Sequence, residues 1–183
     1  YYYNAEVTDA AGNTSETNTI SVDYDGTPPK ISTVAITGTD ENLSVGEKVI
    51  VTVTTNENIY LRDSSSGGLT SSDFVKVQID LGSGEYRWAE LDYTSVTWNS
   101  PVNSLSLEYT IQASDPASLT SGEIQITDDD IVIGGAISIT DNAGNALNPY
   151  LGGDSEFTGV SSTLTLDTVA PDVTDETVTV SAS

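Results

Sequence analysis

The sequence predicts an all-β chain folded as an antiparallel β-sandwich. Apolar and polar residues alternate at 49–53, 75–81 and 105–111, which is the pattern of strands that bury one face. No segment sustains the 3.6-residue period of an amphipathic helix. Clusters of Gly, Asn, Asp and Ser interrupt the chain throughout, as expected of tight turns between strands. Together these features indicate a sandwich of two packed β-layers.

The central part of the sequence predicts about eight strands. The first, which begins near Ile31, is expected to contain a bulge. Trp88 lies on an alternating strand and is expected to fill the core. The apolar positions that define the strands are Ile31, Val34 and Ile36; Val49, Val51 and Val53; Val75, Val77, Ile79 and Leu81; Trp88, Leu91 and Tyr93; Leu105, Leu107, Tyr109 and Ile111; and Leu164 and Leu166.

A short motif occurs twice and predicts a tandem array. Residues 7–14 read Val-Thr-Asp-Ala-Ala-Gly-Asn-Thr and residues 139–146 read Ile-Thr-Asp-Asn-Ala-Gly-Asn-Ala. Each copy is followed by an acidic, Pro-containing linker, Asp-Gly-Thr-Pro-Pro at 25–29 and Asp-Thr-Val-Ala-Pro at 167–171. We therefore expect residues 1–26 to be the last hairpin of one repeat, 27–167 a complete repeat, and 168–183 the first strand of a third. The chain is expected to start in the middle of a longer protein.

The composition argues against several classes of function. Five basic residues face 28 acidic ones, for a net charge of −23, so no cationic patch is expected for nucleic acids or anionic membranes. The chain has no His and no Cys, which leaves no imidazole or thiol for acid–base or nucleophilic catalysis. No apolar run approaches the roughly 20 residues of a membrane-spanning helix. We therefore expect neither an enzyme nor a membrane-inserted protein.

The region from Val49 to Leu147 resembles the bacterial immunoglobulin-like (Ig-like, Big) repeats of giant surface adhesins, especially those of cyanobacterial swimming-motility surface proteins. The similarity lies in Val-Thr-Thr-Asn-Glu-Asn-Ile at 53–59, Tyr-Thr-Ile-Gln-Ala-Ser-Asp at 109–115, and Asp-Asn-Ala-Gly-Asn at 141–145. The linker at 167–171 resembles the links between domains of secreted bacterial Ig arrays. Three features depart from the family pattern: Ser114 replaces a Gly, the first linker reads Asp-Gly-Thr-Pro-Pro, and the loop at 148–159 is longer than expected.

The resemblance implies an extracellular, non-catalytic spacer of an adhesin, surface-layer or filament protein at a bacterial cell surface. Such repeats often carry calcium at their junctions, and their partners are the adjacent repeats of the same chain. The alternative within the same family is a module that recognises a carbohydrate or a protein. Trp98 and Tyr93 are the candidate ligand-binding residues for that alternative, with surface glycans as the partner. Strand exchange with a neighbouring subunit of a fibre is a third possibility.

The acidic turns and linkers predict a Ca²⁺ site. In an Ig-like sandwich the last hairpin turn, the turn after the second strand and the entering linker lie at one end of the fold. Asp25, Glu57, Asp141 and Asn145 should therefore meet and offer oxygen ligands to a hard cation. The wider set of candidate ligands consists of Asp23 in the linker, Asp9 and Asn13 in the first copy of the turn, and Asp167 at the second linker.

A simpler interpretation of these residues remains open, because Asp and Asn also favour turns without any metal. The run Asp128-Asp129-Asp130, with Asp115 as a possible partner, is a weaker candidate cation site. Three adjacent carboxylates on an extended segment point alternately to opposite sides. They cannot all bind one ion, so a solvated acidic turn is the favoured interpretation of this run.

Overall fold

The computed structural model describes residues 2–21, 23–64, 70, 72–82, 84–94, 96–119, 123–153 and 157–170. All the regular structure within these ranges is β-strand. The larger sheet is antiparallel throughout. The predicted all-β, antiparallel, sandwich-like fold is confirmed. No described segment forms a helix long and apolar enough to cross a bilayer.

The described strands are numbered in chain order. They are β1 (Tyr2–Tyr3), β2 (Glu6–Thr8), β3 (Thr14–Glu16), β4 (Ile20–Ser21), β5 (Ile31–Gly38), β6 (Asn42–Leu43), β7 (Lys48–Asp63), β8 (Phe74–Asp80), β9 (Tyr86–Leu91), β10 (Pro101–Thr110), β11 (Gln125–Ile126), β12 (Val132–Gly134), β13 (Ile137–Thr140), β14 (Val160–Ser161) and β15 (Thr165–Leu166).

Within the described residues, the main sheet contains nine strands in the order β13-β7-β10-β9-β8-β11-β14, with β5 added to β7 and β12 added to β8. Strand β7 is its centre, because it pairs with β5, β10 and β13 along its length. The sheet curls until β14 comes into contact with β5. It is therefore nearly closed around a single core.

The core is filled by alternate residues of the long strands, as the sequence pattern predicts. Val49, Val51 and Val53 of β7 are fully buried, and so is Leu107 of β10. Each such side chain contributes about 1.5–3 kcal/mol when it leaves water. The intervening residues of β7 face the other side of the strand and remain partly exposed. Period-2 patterning therefore identified the buried face of these strands correctly.

The prediction that Trp88 fills the core is wrong. On β9 the residues that face the core are Ala89 and Leu91, so Trp88 lies on the opposite face and is half-buried. The ammonium group of Lys76 lies 4.4 Å from the centroid of the Trp88 ring and 4.3 Å from that of Phe74. The two rings and the lysine therefore cover one another on the outer face through cation–π contacts.

Residues 2–21 form two short antiparallel pairs, β1 with β4 and β2 with β3. All the residues of these four strands are exposed. The β2–β3 hairpin lies where the sequence predicts the last hairpin of a preceding repeat, and its assignment to that repeat stays a prediction. The predicted first strand of a third repeat, at 168–183, lies outside the described residues from 171 onward.

The chain enters and leaves the main sheet at opposite ends. Ile31, at the start of β5, pairs with Thr55, and Gly38, at its end, pairs with Val49. On the way out, Leu166 pairs in parallel with Leu43, which lies in the connection between β5 and β7 beyond Gly38. The two ends are separated by the eight residues of β5, or about 25 Å at the rise of a strand.

Candidate metal centre

The turn at 141–145 is closed by the side chain of its first residue. The backbone N–H of Asn145 donates to Oδ1 of Asp141 at 2.8 Å, and its side-chain amide donates to Oδ2 at 2.7 Å. The backbone N–H of Asp141 donates to the carbonyl of Asn145 at 3.0 Å. Gly144 has a φ of 96°, a conformation that favours glycine. The motif Asp-x-Ala-Gly-Asn therefore specifies this turn locally.

The first copy of the motif builds the same turn. The backbone N–H of Asn13 donates to Oδ1 of Asp9 at 2.9 Å, and its side-chain amide donates to Oδ2 at 2.8 Å. Gly12 has a φ of 88°. These bonds also hold the pKa of Asp9 below its usual value, chiefly through the side-chain amide of Asn13. Turn chemistry alone accounts for the motif at this first position.

Glu57 lies at a shift in the pairing register of β7 with β10. The register of β7 with β10 shifts between Val102 and Ser104, so residues 55–58 have no partner on β10. The buried hydroxyl of Thr55 donates to the carbonyl of Glu57 at 2.6 Å and lies 3.1 Å from that of Asn103. The excursion is therefore a fixed bulge that displays the Glu57 carboxylate beside the end of the sheet.

The entering segment passes between this bulge and the turn at 141–145. Asn56 binds Lys30 twice: its side-chain oxygen accepts the Lys30 N–H at 2.6 Å, and its own N–H donates to the Lys30 carbonyl at 2.9 Å. On the other side, the Asn148 N–H donates to the Pro29 carbonyl at 2.9 Å. The Asn145 side-chain amide donates to the Asp25 carbonyl at 3.1 Å. Four hydrogen bonds thus position the segment from 25 to 30.

This threading brings three carboxylates together. One oxygen each of Asp25, Glu57 and Asp141 lies within 4.8 Å of the others. Asp25 is exposed, Glu57 half-buried and Asp141 buried. The 4.8 Å limit on their spacing is twice the usual Ca²⁺–oxygen distance of about 2.4 Å, so an ion could touch any two of these oxygens, and a small inward movement would bring the third into contact. The donor set, all oxygen with no nitrogen or sulfur, suits Ca²⁺, and backbone carbonyls or water would complete its six to eight ligands.

The three carboxylates also repel one another. Burial raises the pKa of Glu57 above its ordinary value, and the charges of Asp25 and Asp141 raise it further. Burial acts on Asp141 in the same direction. There, however, hydrogen bonds from Asn145, Gly144 and Ala143 outweigh it and hold the pKa of Asp141 below its usual value. Asp141 is therefore the anionic anchor of the cluster, whereas burial and the two aspartates disfavour the charged form of Glu57.

The other predicted ligands lie apart from this triad or serve it indirectly. Asn145 points its amide nitrogen at Asp141 and at the Asp25 carbonyl, so it positions the two aspartates. Asp9 and Asn13 form their own hairpin turn. Asp167 accepts a hydrogen bond from the Val169 N–H at 3.0 Å and lies at the exit end. Asp23 is exposed and does not join the carboxylate group found among the described residues.

The two candidate ligand-binding aromatics are in contact with each other. The rings of Tyr93 and Trp98 are stacked, with centroids 6.2 Å apart and planes inclined by 9°. Both are half-buried against the core. The Tyr93 hydroxyl accepts a hydrogen bond from the Val75 N–H at 2.6 Å. The pair therefore closes the edge of the core, and recognition of a glycan by these rings stays a prediction.

A buried ion pair was not predicted from the sequence. The Asp115 carboxylate, whose side chain is fully buried, accepts a hydrogen bond from Nε of Arg87 at 2.8 Å. It accepts others from the Tyr109 hydroxyl and the Gln112 N–H, both at 2.8 Å. Burial and the neighbouring carboxylate raise the pKa of Tyr109 to about 12. The suggested pairing of Asp115 with 128–130 is therefore replaced by a pairing with Arg87.

The only signals for this pair were the scarcity of basic residues and the Tyr-to-Asp spacing, and neither identifies a partner across the sheet.

The triad of Asp25, Glu57 and Asp141 remains the strongest candidate site in the described part of the chain. Comparison with protein-family models, curated proteins and solved structures finds no match to this chain.

Proposed function

We propose that this chain is a non-catalytic extender of an extracellular bacterial adhesin, surface-layer or filament protein, and that calcium stiffens the joint at which each repeat begins. The observation that carries the proposal is the meeting of Asp25 with Glu57 and Asp141. Asp25 belongs to the entering segment, whereas the other two belong to the body of the sheet. An ion bound by all three would fasten the joint to the body and restrict its bending.

The path of the chain supports the same proposal. Because the entering and leaving segments lie at opposite ends of β5, repeats joined through them would follow one another end to end. The adjacent repeats of the same chain are the proposed partners. The exposed side chains of Tyr2, Tyr3 and Ile20 offer apolar surface for such a contact.

The proposal predicts that calcium stabilises the chain through Asp141. At a free calcium concentration about 100 times Kd, binding to the folded state adds about 2.7 kcal/mol, or roughly 5–10 °C in Tm for a domain of this size. Asp141→Asn should remove most of this increase. Thermal unfolding with EDTA and with calcium measures the increase, and calorimetric titration counts the bound ions.

Asp9→Asn is the matched control, because Asp9 closes the same turn with the same bonds but does not belong to the triad. The Asp9 variant should keep the full calcium-dependent increase. The calcium joint is disproved if calcium leaves the Tm of the parent chain unchanged, or if the two variants lose the increase equally.

A further inference from the structure

The segment by which the chain leaves the sheet is held from two sides. On one side, β15 pairs in parallel with β6, and the Asp167 N–H donates to the Leu43 carbonyl at 2.9 Å. On the other side, the Thr168 hydroxyl lies 3.3 Å from the Asp115 carbonyl and 3.2 Å from the Pro116 carbonyl. Thr168 is therefore the last described residue that ties the departing chain to the loop after β10.

That loop is itself fixed by the buried ion pair. The Asp115 carboxylate receives three hydrogen bonds, from Arg87, Tyr109 and Gln112. The Asp115 N–H returns a bond to the Gln112 carbonyl at 3.0 Å. A buried carboxylate that is paired and fully hydrogen-bonded has one preferred position, since any displacement leaves a charge without partners. The two carbonyls beside the Thr168 hydroxyl, of which it donates to one at a time, consequently have fixed positions as well.

We infer that Thr168 and the Arg87–Asp115–Tyr109 network form a latch that sets the direction in which the chain leaves this repeat, without a metal ion. Thr168 is the positioning residue, and the buried network holds the surface to which it binds. The latch goes beyond the proposed calcium joint, because it lies at the opposite end of β5 and uses none of the triad residues. The two joints of a repeat would thus be made rigid by different chemistry.

The test measures the freedom of the leaving segment directly. The chain has no cysteine, so Ser104→Cys and Ala170→Cys accept two spin labels without interference. Ser104 lies on β10, about 20 Å along the strand from its exit end. Double electron–electron resonance then gives the distribution of distances between the two labels. The 183-residue chain carrying only these two substitutions should give one narrow peak, in EDTA as well as in calcium.

Thr168→Val keeps the shape of the side chain but removes the hydroxyl, and it should abolish the narrow peak. Thr168→Ser keeps the hydroxyl and should restore the peak. Thr163→Val is the matched control, because it makes the same change at an exposed position five residues earlier in the chain, and it should leave the peak unchanged. A narrow peak in Thr168→Val, or equal broadening in Thr163→Val, overturns the latch.

Asp115→Asn tests the network beneath the latch. It should abolish the narrow peak and also lower the Tm, since it removes the charge that Arg87 pairs with. If this variant fails to fold, Arg87→Lys replaces it, because lysine keeps the charge but lacks the Nε donor. A folded variant of either kind that keeps the narrow peak excludes the network from the latch.

The same measurements separate the latch from the calcium joint. Loss of the peak on adding EDTA to the labelled parent chain would show that the exit depends on metal, and this outcome overturns the latch. Failure of the calcium joint, by contrast, would appear as a Tm of the parent chain that calcium leaves unchanged, and the exit distances would still be as expected.

Discussion

Asp141 and Asp9 show how one residue type serves two purposes at the scale of the single residue. Both carboxylates close an identical turn, so the sequence motif alone explains why each is an aspartate. Only Asp141 has two further carboxylates beside it. What distinguishes a candidate metal ligand from a plain turn residue is therefore its neighbours, and these come from residues 25 and 57.

Glu57→Gln should have opposite effects with and without calcium. At neutral pH in EDTA it should raise the Tm, because it removes a charge that burial and two aspartates disfavour. In calcium it should reduce the calcium-dependent increase in Tm, because a ligand is lost. Thermal unfolding under both conditions makes the comparison, with Glu41→Gln as the control at an exposed position near the exit end.

The rise in Tm that Glu57→Gln should cause in EDTA should also depend on pH. The pKa of Glu57 is higher in the folded chain than its ordinary value of 4.5, so the folded state binds the proton more tightly than the unfolded state. The cost of ionising Glu57 is fully present above the folded pKa and disappears as the pH falls below about 4.5. If Glu57→Gln raised the Tm in EDTA by the same amount at pH 4 as at neutral pH, this explanation would be wrong.

At the scale of the element, the break in register between β7 and β10 matters more than the regular parts of the two strands. Residues 48–54 pair with β10 and residues 49–55 with β5, and residues 60–63 pair with β13. The hydroxyl of Thr55 joins the carbonyls on either side of the break. This one buried group therefore couples the regular sheet to the bulge that presents Glu57.

Thr55→Val should lower the free energy of unfolding by about 1–2 kcal/mol, because the Glu57 carbonyl loses a buried hydroxyl donor. It should also weaken calcium binding, since the bulge loses its fixed position. Chemical denaturation measures the first effect and calorimetric titration the second. Thr52→Val, the same change on β7 at a half-buried position, should stay within about 0.5 kcal/mol of the parent. Equal losses in both variants would show that the break has no special role.

At the scale of the whole molecule, charge is the dominant feature. The net charge of −23 destabilises the compact state by self-repulsion. Few basic residues are present to offset it, and one of them, Arg87, is committed to a buried carboxylate. Stability without calcium should therefore depend strongly on the ions in solution.

The Tm in EDTA should rise by several degrees when NaCl is increased from about 0.01 M to 0.1 M, because the Debye length falls from roughly 30 Å to 10 Å. The rise should be smaller in saturating calcium, which neutralises part of the charge at the triad. Thermal unfolding across the salt series measures both slopes, and KCl serves as a check on ion-specific effects. A Tm that falls with salt would show that favourable ion pairs outweigh the repulsion.

Most of the fold was predictable from the sequence because burial follows a period of two. Val49, Val51 and Val53 are buried as that pattern requires. The position of Trp88 was predicted wrongly because the size and hydrophobicity of one residue do not decide which face of a strand is buried. On β9 the buried face is that of Ala89 and Leu91. The triad was predictable in part, since the ends of strands that share one pole of a sandwich can be inferred from topology.

The sequence by itself determined the local structures: the alternating strands, and the turn that Asp141 and Asn145 close through bonds four residues apart. These depend on contacts between near neighbours, which the order of residues specifies directly. Only the tertiary structure decided that Asn145 bonds to Asp25 through its amide nitrogen, and that Arg87 meets Asp115 across 28 residues of chain. Such contacts depend on how the sheet curls and which strands pair, because electrostatic partners are chosen by distance in space and not along the chain.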